Sequence, residues 1–190
     1  MAGFGELVLV LGDLHIHQRS REIPEKFKRM LVPNKMQHII CTGNMGSHEQ
    51  YDMLRNLAPN VHTVSGNFEG KEMSFPETKV VQVGDFRIGV IHGHQIVPQG
   101  DHMALATTRR KLDVDILVSG NTHRNEVAEY DGHFHINPGS ITGSFSSTLF
   151  NVIPSFVLLA VQGSKAVCYV YELINDELSV SKTEFNKNVS

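Results

Sequence analysis

Asp13 and His15 stand two residues apart, directly after an apolar run, and four later segments repeat that placement. These are Gly43-Asn44, Gly66-Asn67, His92-Gly93-His94 and Gly120-Asn121-Thr122-His123. Carboxylate, amide oxygen and imidazole are donors that divalent metal ions accept. Donors gathered from several segments are what a two-metal site requires. Any one of these motifs is weak, since a lone Asp-x-His arises by chance and a lone strand-end histidine is usually a hydrogen-bonded structural residue. Their common position carries the argument, because ligands of α/β sheets collect at the carboxyl ends of strands.

The elements that must position these groups follow from hydrophobic patterning. Residues 7–11 (LVLVL) form a continuous aliphatic run ending at Gly12, the pattern of a strand buried on both faces. Pro24 opens a helical stretch over 24–31, with Phe27, Met30 and Leu31 at helical spacing. A short strand at 38–41, a helix capped by Ser47 with Tyr51, Leu54 and Leu57 on one face, and a strand at 61–64 complete a β-α-β-α-β run. Two hairpins are then predicted around Gly84-Asp85 and Asp131-Gly132, with a helix at 103–112 and a buried strand at 115–118 between them. Segments 156–161, 166–173 and 178–185 close the chain as antiparallel strands. The expected fold class is α/β, a four-layer α-β-β-α sandwich of two packed mixed sheets with outer helices, formed by one domain over residues 1–190.

Bulk properties exclude several functions. A chain of 190 residues with 41% apolar and 19% charged residues suits one globular core. A formal net charge of -3, with Lys and Arg scattered, argues against nucleic-acid binding. Cys41 and Cys168 both lie in apolar runs, which suggests buried free thiols in a reducing compartment. The opening residues lack the basic and apolar regions of a secretory leader. The longest apolar stretch, 153–161, is broken by Pro154 and Ser155 and is too short to span a bilayer. A cytosolic protein without direct membrane insertion is expected.

In order and spacing the motif set resembles the calcineurin-like metallophosphoesterases, whose pattern is D-x-H, G-D, G-N-H-D/E, H and then G-H-x-H. The resemblance implies that Asp13, His15 and His123 serve one metal and that Asn67 and His92 serve a second. Three positions depart from the pattern: Asn44 stands where the bridging Asp belongs, Phe68 replaces the His of G-N-H, and Asn121 replaces the first His of G-H-x-H. Asp13 is left as the sole carboxylate. A neutral amide cannot offset the repulsion of two cations ~3.5–4 Å apart. Phe68 cannot donate a proton, a loss worth typically ~10²–10⁴-fold in rate. The expected outcome is a catalytically inactive homologue that needs no cofactor and holds at most a weakly bound divalent ion such as manganese or zinc. An active phosphoesterase with an unusual ligand set, and a module whose docking depends on metal, are the alternatives.

Longer stretches resemble one branch of that family, the vacuolar protein sorting-associated protein 29 branch, the small subunits of the endosomal coat retromer. They include L-V-L-V-L-G-D-L-H-I, I-G-V-I-H-G-H-Q, D-V-D-I-L-V-S-G-N-T-H and I-P-S-F-V-L. The resemblance implies a scaffold in endosome-to-Golgi and plasma-membrane retrieval, held peripherally on endosomal membranes through its complex. It implies docking of a helical-solenoid subunit, vacuolar protein sorting-associated protein 35, on the former active-site face through His15, His17, Ile96, Val97 and Pro98. For Ile96 and Val97, burial in the chain's own core is the competing reading. A second partner patch, for sorting-nexin or regulator proteins, is implied at Leu7, Leu31, Leu158, Tyr169 and Tyr171, with Met30 and Val157 as equally plausible core residues.

Overall fold

The computed structural model describes residues 5–70 and 72–187; the outermost ends of the expected 1–190 span lie outside the described residues. Strand β1 (Glu6–Leu11) lies at the middle of a six-stranded sheet. On one side it pairs parallel with β2 (His38–Cys41), which pairs parallel with β3 (Asn60–Thr63). On the other side come the antiparallel strands β9 (Ser155–Gln162), β10 (Lys165–Ile174) and β11 (Glu177–Asn186).

The second sheet has five strands in the order β4-β5-β6-β8-β7. Hairpin β4 (Thr78–Val83) and β5 (Phe86–Ile91) turns at Gly84-Asp85. Strand β6 (Ile116–Val118) runs parallel to β5 and to β8 (His133–Pro138), and β7 (Asn125–Tyr130) pairs antiparallel with β8 across Asp131-Gly132. Both hairpins lie where the sequence predicts them.

Side-chain alternation divides each sheet between two environments. Val8, Val10, Ile40, Val157 and Leu159 meet Phe86, Ile88, Val118 and Ile136 in a fully buried layer between the sheets. The opposite face of the first sheet, through Leu9, Leu11, Ile39 and Phe156, packs against α1 (Glu25–Lys28) and α2 (His48–Leu57). Outside the second sheet lies α3 (His102–Leu112), where Leu105 packs with Ile91, Ile96 and Leu117. Helices therefore cover both outer faces, giving four layers. Cys41 and Cys168 are free and buried, as expected.

The helix predicted over 24–31 shortens to one turn. Arg29 caps it, Met30 continues only as a turn, and the Leu31 N–H donates back to Phe27 O. Ser47 occupies the cap position of α2, but its hydroxyl makes no capping hydrogen bond. Val157 is fully buried between the sheets, which removes it from any surface patch.

Candidate metal centre

The parallel strands deliver their carboxyl ends to one rim. Asp13 follows β1, Asn44 follows β2, Asn67 follows β3, His92 follows β5, and Asn121 and His123 follow β6. Main-chain bonds fasten these loops together: Asp13 N–H donates to Gly43 O (3.1 Å), His15 N–H to Asn44 O (2.8 Å) and Gly120 N–H to His92 O (2.7 Å). The approach is close enough that a Cβ on Gly12 would fall 1.7 Å from Thr42 Oγ1. Asp13, His15, His17, Asn44, Asn121 and His123 all have positive φ, between 46° and 72°. Such conformations cost of order 1–3 kcal/mol each and gather at functional sites.

Asp13 is the centre of the cavity and is fully buried. Its Oδ1 lies 3.1 Å from His92 Nε2, 3.7 Å from His123 Nε2 and 3.8 Å from His15 Nε2. Its Oδ2 accepts from the Asn121 N–H at 2.8 Å. Burial alone would push the Asp13 carboxyl up. The hydrogen bond and charge of His92, the charge of His123 and the Asn121 N–H outweigh burial and hold its pKa below the ordinary range.

The first metal position fits the residues present. Ligand atoms of Asp13, His15 and His123 lie within 4.8 Å of one another. Neither ring nitrogen of His15 finds a hydrogen-bond partner among the described residues although the side chain is buried, a costly arrangement unless something else binds there. Burial drives the His15 pKa down to about 4, against the pull of Asp13, so the ring stays neutral and able to coordinate. His123 Nδ1 lies 2.6 Å from the Ser144 carbonyl. A carbonyl only accepts, so Nδ1 carries a proton and Nε2 is the nitrogen left to face Asp13, the orientation that a hydrogen-bonded outer nitrogen gives a metal-bound histidine.

The second position does not fit. The Asn44 amide nitrogen points into the cavity, 2.9 Å from His92 Nε2, 3.0 Å from Asn67 Oδ1 and 3.4 Å from Asp13 Oδ1. Its oxygen turns away and accepts from Phe68 N–H at 2.9 Å. An N–H donor thus occupies the place of an anionic bridge. Asn121 enters through its main chain, and Asn67 is exposed at the mouth.

Ser140, Ser144 and Arg19 had no distinguishing signal in the sequence, whereas Glu69 fills the D/E position of the G-N-H-D/E motif. Ser140 and Ser144 hydroxyls both donate to Asp13 O, at 2.7 and 2.9 Å, and so hold the first ligand loop from the far side of the chain. Arg19 lies over the exposed Phe68 ring, 4.6 Å from its centroid, and donates to Phe145 O. Glu69 Oε1 accepts from Met45 N–H at 3.4 Å, and burial pushes its carboxyl up.

Among the expected contact residues on this face, Val97 is 80% exposed, and Pro98 and His17 are also exposed. His15 is completely buried, and Ile96 packs beneath the loop against Leu105 and Leu117. On the α1 side, Leu7, Leu158, Tyr169 and Tyr171 are half-buried on one face of β1, β9 and β10, with Leu31 buried at its edge. Tyr171 stacks on Phe156 at 5.0 Å.

Residues 7–164 match the calcineurin-like phosphoesterase superfamily domain. The vacuolar protein sorting-associated protein 29 of Schizosaccharomyces pombe is 38% identical over 185 residues, 95% of this chain and 98% of the relative. The chain belongs to the vacuolar protein sorting-associated protein 29 family. The structure of that family's Cryptosporidium parvum member is similar with a TM-score of 0.93, at 42% identity over 97% of this chain and 100% of that one. The wild-type Entamoeba histolytica member, complexed with zinc, gives a TM-score of 0.89 at 44% identity over 95% of this chain and 99% of that one. Family membership and the two-sheet phosphoesterase fold therefore agree with the sequence motifs.

Proposed function

We propose that this chain is a non-enzymatic scaffold subunit of retromer, acting as one unit in retrograde transport from endosomes. In this reading the former active-site face docks the helical-solenoid subunit, vacuolar protein sorting-associated protein 35. The single observation that carries the reading is the Asn44 amide, whose N–H group fills the place where two divalent ions need an anionic bridge. Without a second ion, and with Phe68 in place of a proton donor, the cavity lacks two of the groups that would stabilise a leaving oxygen. Val97, 80% exposed beside that cavity, is the apolar anchor, with Pro98 and His17 around it. Retromer would hold the chain on endosomal membranes indirectly; no described helix is long and apolar enough to cross a bilayer.

The strip of Leu7, Leu158, Tyr169 and Tyr171 is the second docking surface, suited to short apolar loops of sorting-nexin or regulator proteins. Calorimetry with the purified solenoid subunit tests the main interface. Val97→Asp is expected to weaken binding at least ~100-fold, because a desolvated charge replaces a central apolar anchor; unchanged affinity would refute the proposed face.

One observation favours a second reading, in which one metal sustains a slow phosphoesterase: Asp13, His15 and His123 cluster as a ligand group. Aryl phosphodiester hydrolysis in manganese, compared between wild type and Asp13→Ala, separates the two. Robust turnover abolished by that substitution would support the enzyme.

A further inference from the structure

The loop that follows Asp13 and His15 carries groups that the metal centre does not use. Residues 15–20 turn tightly on themselves: the His15 carbonyl accepts from the N–H groups of Gln18, Arg19 and Ser20, at 3.1, 2.9 and 3.2 Å. His17 takes a positive φ of 72° within that turn, and its N–H donates to Ser20 O at 2.8 Å. The backbone of Arg19 is thereby fixed, and its side chain is held as well. Its guanidinium carbon lies 4.6 Å from the centroid of the Phe68 ring and 5.5 Å from that of Phe145, and Nη1 donates to Phe145 O at 3.0 Å. A guanidinium within ~6 Å of a ring centroid is attracted to the ring face.

Phe68 and Phe145 are 48% and 46% exposed, so two large rings stand in the open and share one cation. The Phe68 ring also meets His15 in an edge contact, 5.7 Å between centroids, which sets this group at the mouth of the strand-end cavity. Arg19, Arg21, His17 and Phe145 line one open cleft of about 540 Å³. Among the described residues no carboxylate pairs with either arginine, and the neighbouring Glu22 is taken by Lys28. Lys26, Lys165 and Lys187, by contrast, each meet a carboxylate within 3.1 Å. A guanidinium has five N–H donors, and Arg19 spends one on Phe145.

We propose that Arg19, held by Phe68 and Phe145 and joined by Arg21, is the seat for an acidic side chain of the helical-solenoid subunit. The inference rests on the docking reading above, and adds a charged contact to the apolar anchor at Val97. Charge complementarity selects the occupant, because two unpaired arginines on one cleft attract an acidic segment and repel a basic one. A planar guanidinium already fixed in place takes a carboxylate with little further loss of freedom. The exposed rings shield that pair from water and offer apolar area to the residues flanking the acid. Phe68, whose presence removes a proton donor from the cavity, thereby gains a role as support for the cation.

The test is calorimetric titration of the full chain with the purified solenoid subunit, at low and at high salt. Arg19→Gln, Arg19→Lys, Arg21→Gln and Val97→Asp are compared with wild type, each shown to be folded by circular dichroism. Arg19→Gln is expected to weaken binding at least ~10-fold at low salt and to flatten its salt dependence, with a smaller loss in Arg21→Gln. Arg19→Lys should recover only part of the loss, because an ammonium keeps the charge without the planar fork; full recovery would show charge alone at work and overturn the clamp. Weakened binding in Val97→Asp, with affinity and salt slope unchanged in Arg19→Gln, would overturn this inference and leave the docking face standing. Full affinity in Val97→Asp would refute the face itself, and this inference with it.

Discussion

In the strand-end cavity, Asp13, His15, Asn44 and His123 hold left-handed backbone conformations around a buried carboxylate, and most polar atoms are spoken for by one another. Across the molecule, the strip of Leu7, Leu158 and Tyr171 lies on regular strands, half-buried, with Tyr171 stacked on Phe156. One region is specified by loop geometry and charge, the other by strand alternation and apolar area. The first should therefore be intolerant of backbone or charge changes, and the second should lose stability only in proportion to the area removed.

The sharpest way to break this contrast is at the backbone. Gly43 has φ 102°, and a Cβ there would lie 2.7 Å from Gly66 N, where neither main chain can yield. Gly43→Ala is expected to cost at least ~3 kcal/mol in urea unfolding. Gly70, with nothing within 4 Å of its would-be Cβ, serves as the control, and Gly70→Ala should change stability by less than ~0.5 kcal/mol.

Charge comes next. Asn44→Asp removes an amide whose nitrogen lies within 3.4 Å of Asp13, Asn67 and His92 and sets a second carboxylate beside Asp13. Without metal, the variant should be destabilised by ~1–3 kcal/mol. Millimolar manganese should recover that loss and leave wild type nearly unmoved in thermal melts. Adding Phe68→His to the variant should raise manganese-dependent phosphodiesterase turnover above wild type. On the apolar strip, Tyr171→Ala should cost ~1–2 kcal/mol with no dependence on metal, as half-buried aromatic area is lost.

The smallest effect belongs to neither region. Burial, reinforced by Lys79 and His38, lowers the His62 pKa to about 4, below its value in an unfolded chain. The unfolded state therefore takes up the proton first, and stability falls as pH drops from about 6.5 toward 4. His62→Gln should flatten that decline by less than one proton, because the ring is only half-buried and solvent screens part of the effect.

These two regions also differ in what could be read before folding. Strand 38–41 and the Gly84-Asp85 and Asp131-Gly132 turns were legible because a short apolar run and turn chemistry are local signals. The motif residues at the strand ends were legible because a parallel sheet sends consecutive carboxyl ends to one rim. Burial within irregular loops was not. Ile96 and Val97 are adjacent and chemically alike, yet one is 5% and the other 80% exposed, and no periodicity separates them. His15 carries the same motif signal whether its ring faces a partner or the interior. Val157 and Leu158 are told apart only by the pairing of β9 with β1, which sets Leu158 opposite Leu9 and turns Val157 into the layer between the sheets. Ser140 and Ser144 lie more than 120 positions from Asp13, at separations of 127 and 131, and their role in holding it is visible only in the folded chain.

The central claim is that one carboxylate and an inward-facing amide cannot hold a bridged pair of divalent ions. Crystals grown in manganese and measured at its absorption edge address it directly. At this cavity the account predicts at most one ion, held by Asp13, His15 and His123. Two fully occupied ions on either side of Asn44, at the ~3.5–4 Å separation of a dinuclear centre, would contradict it.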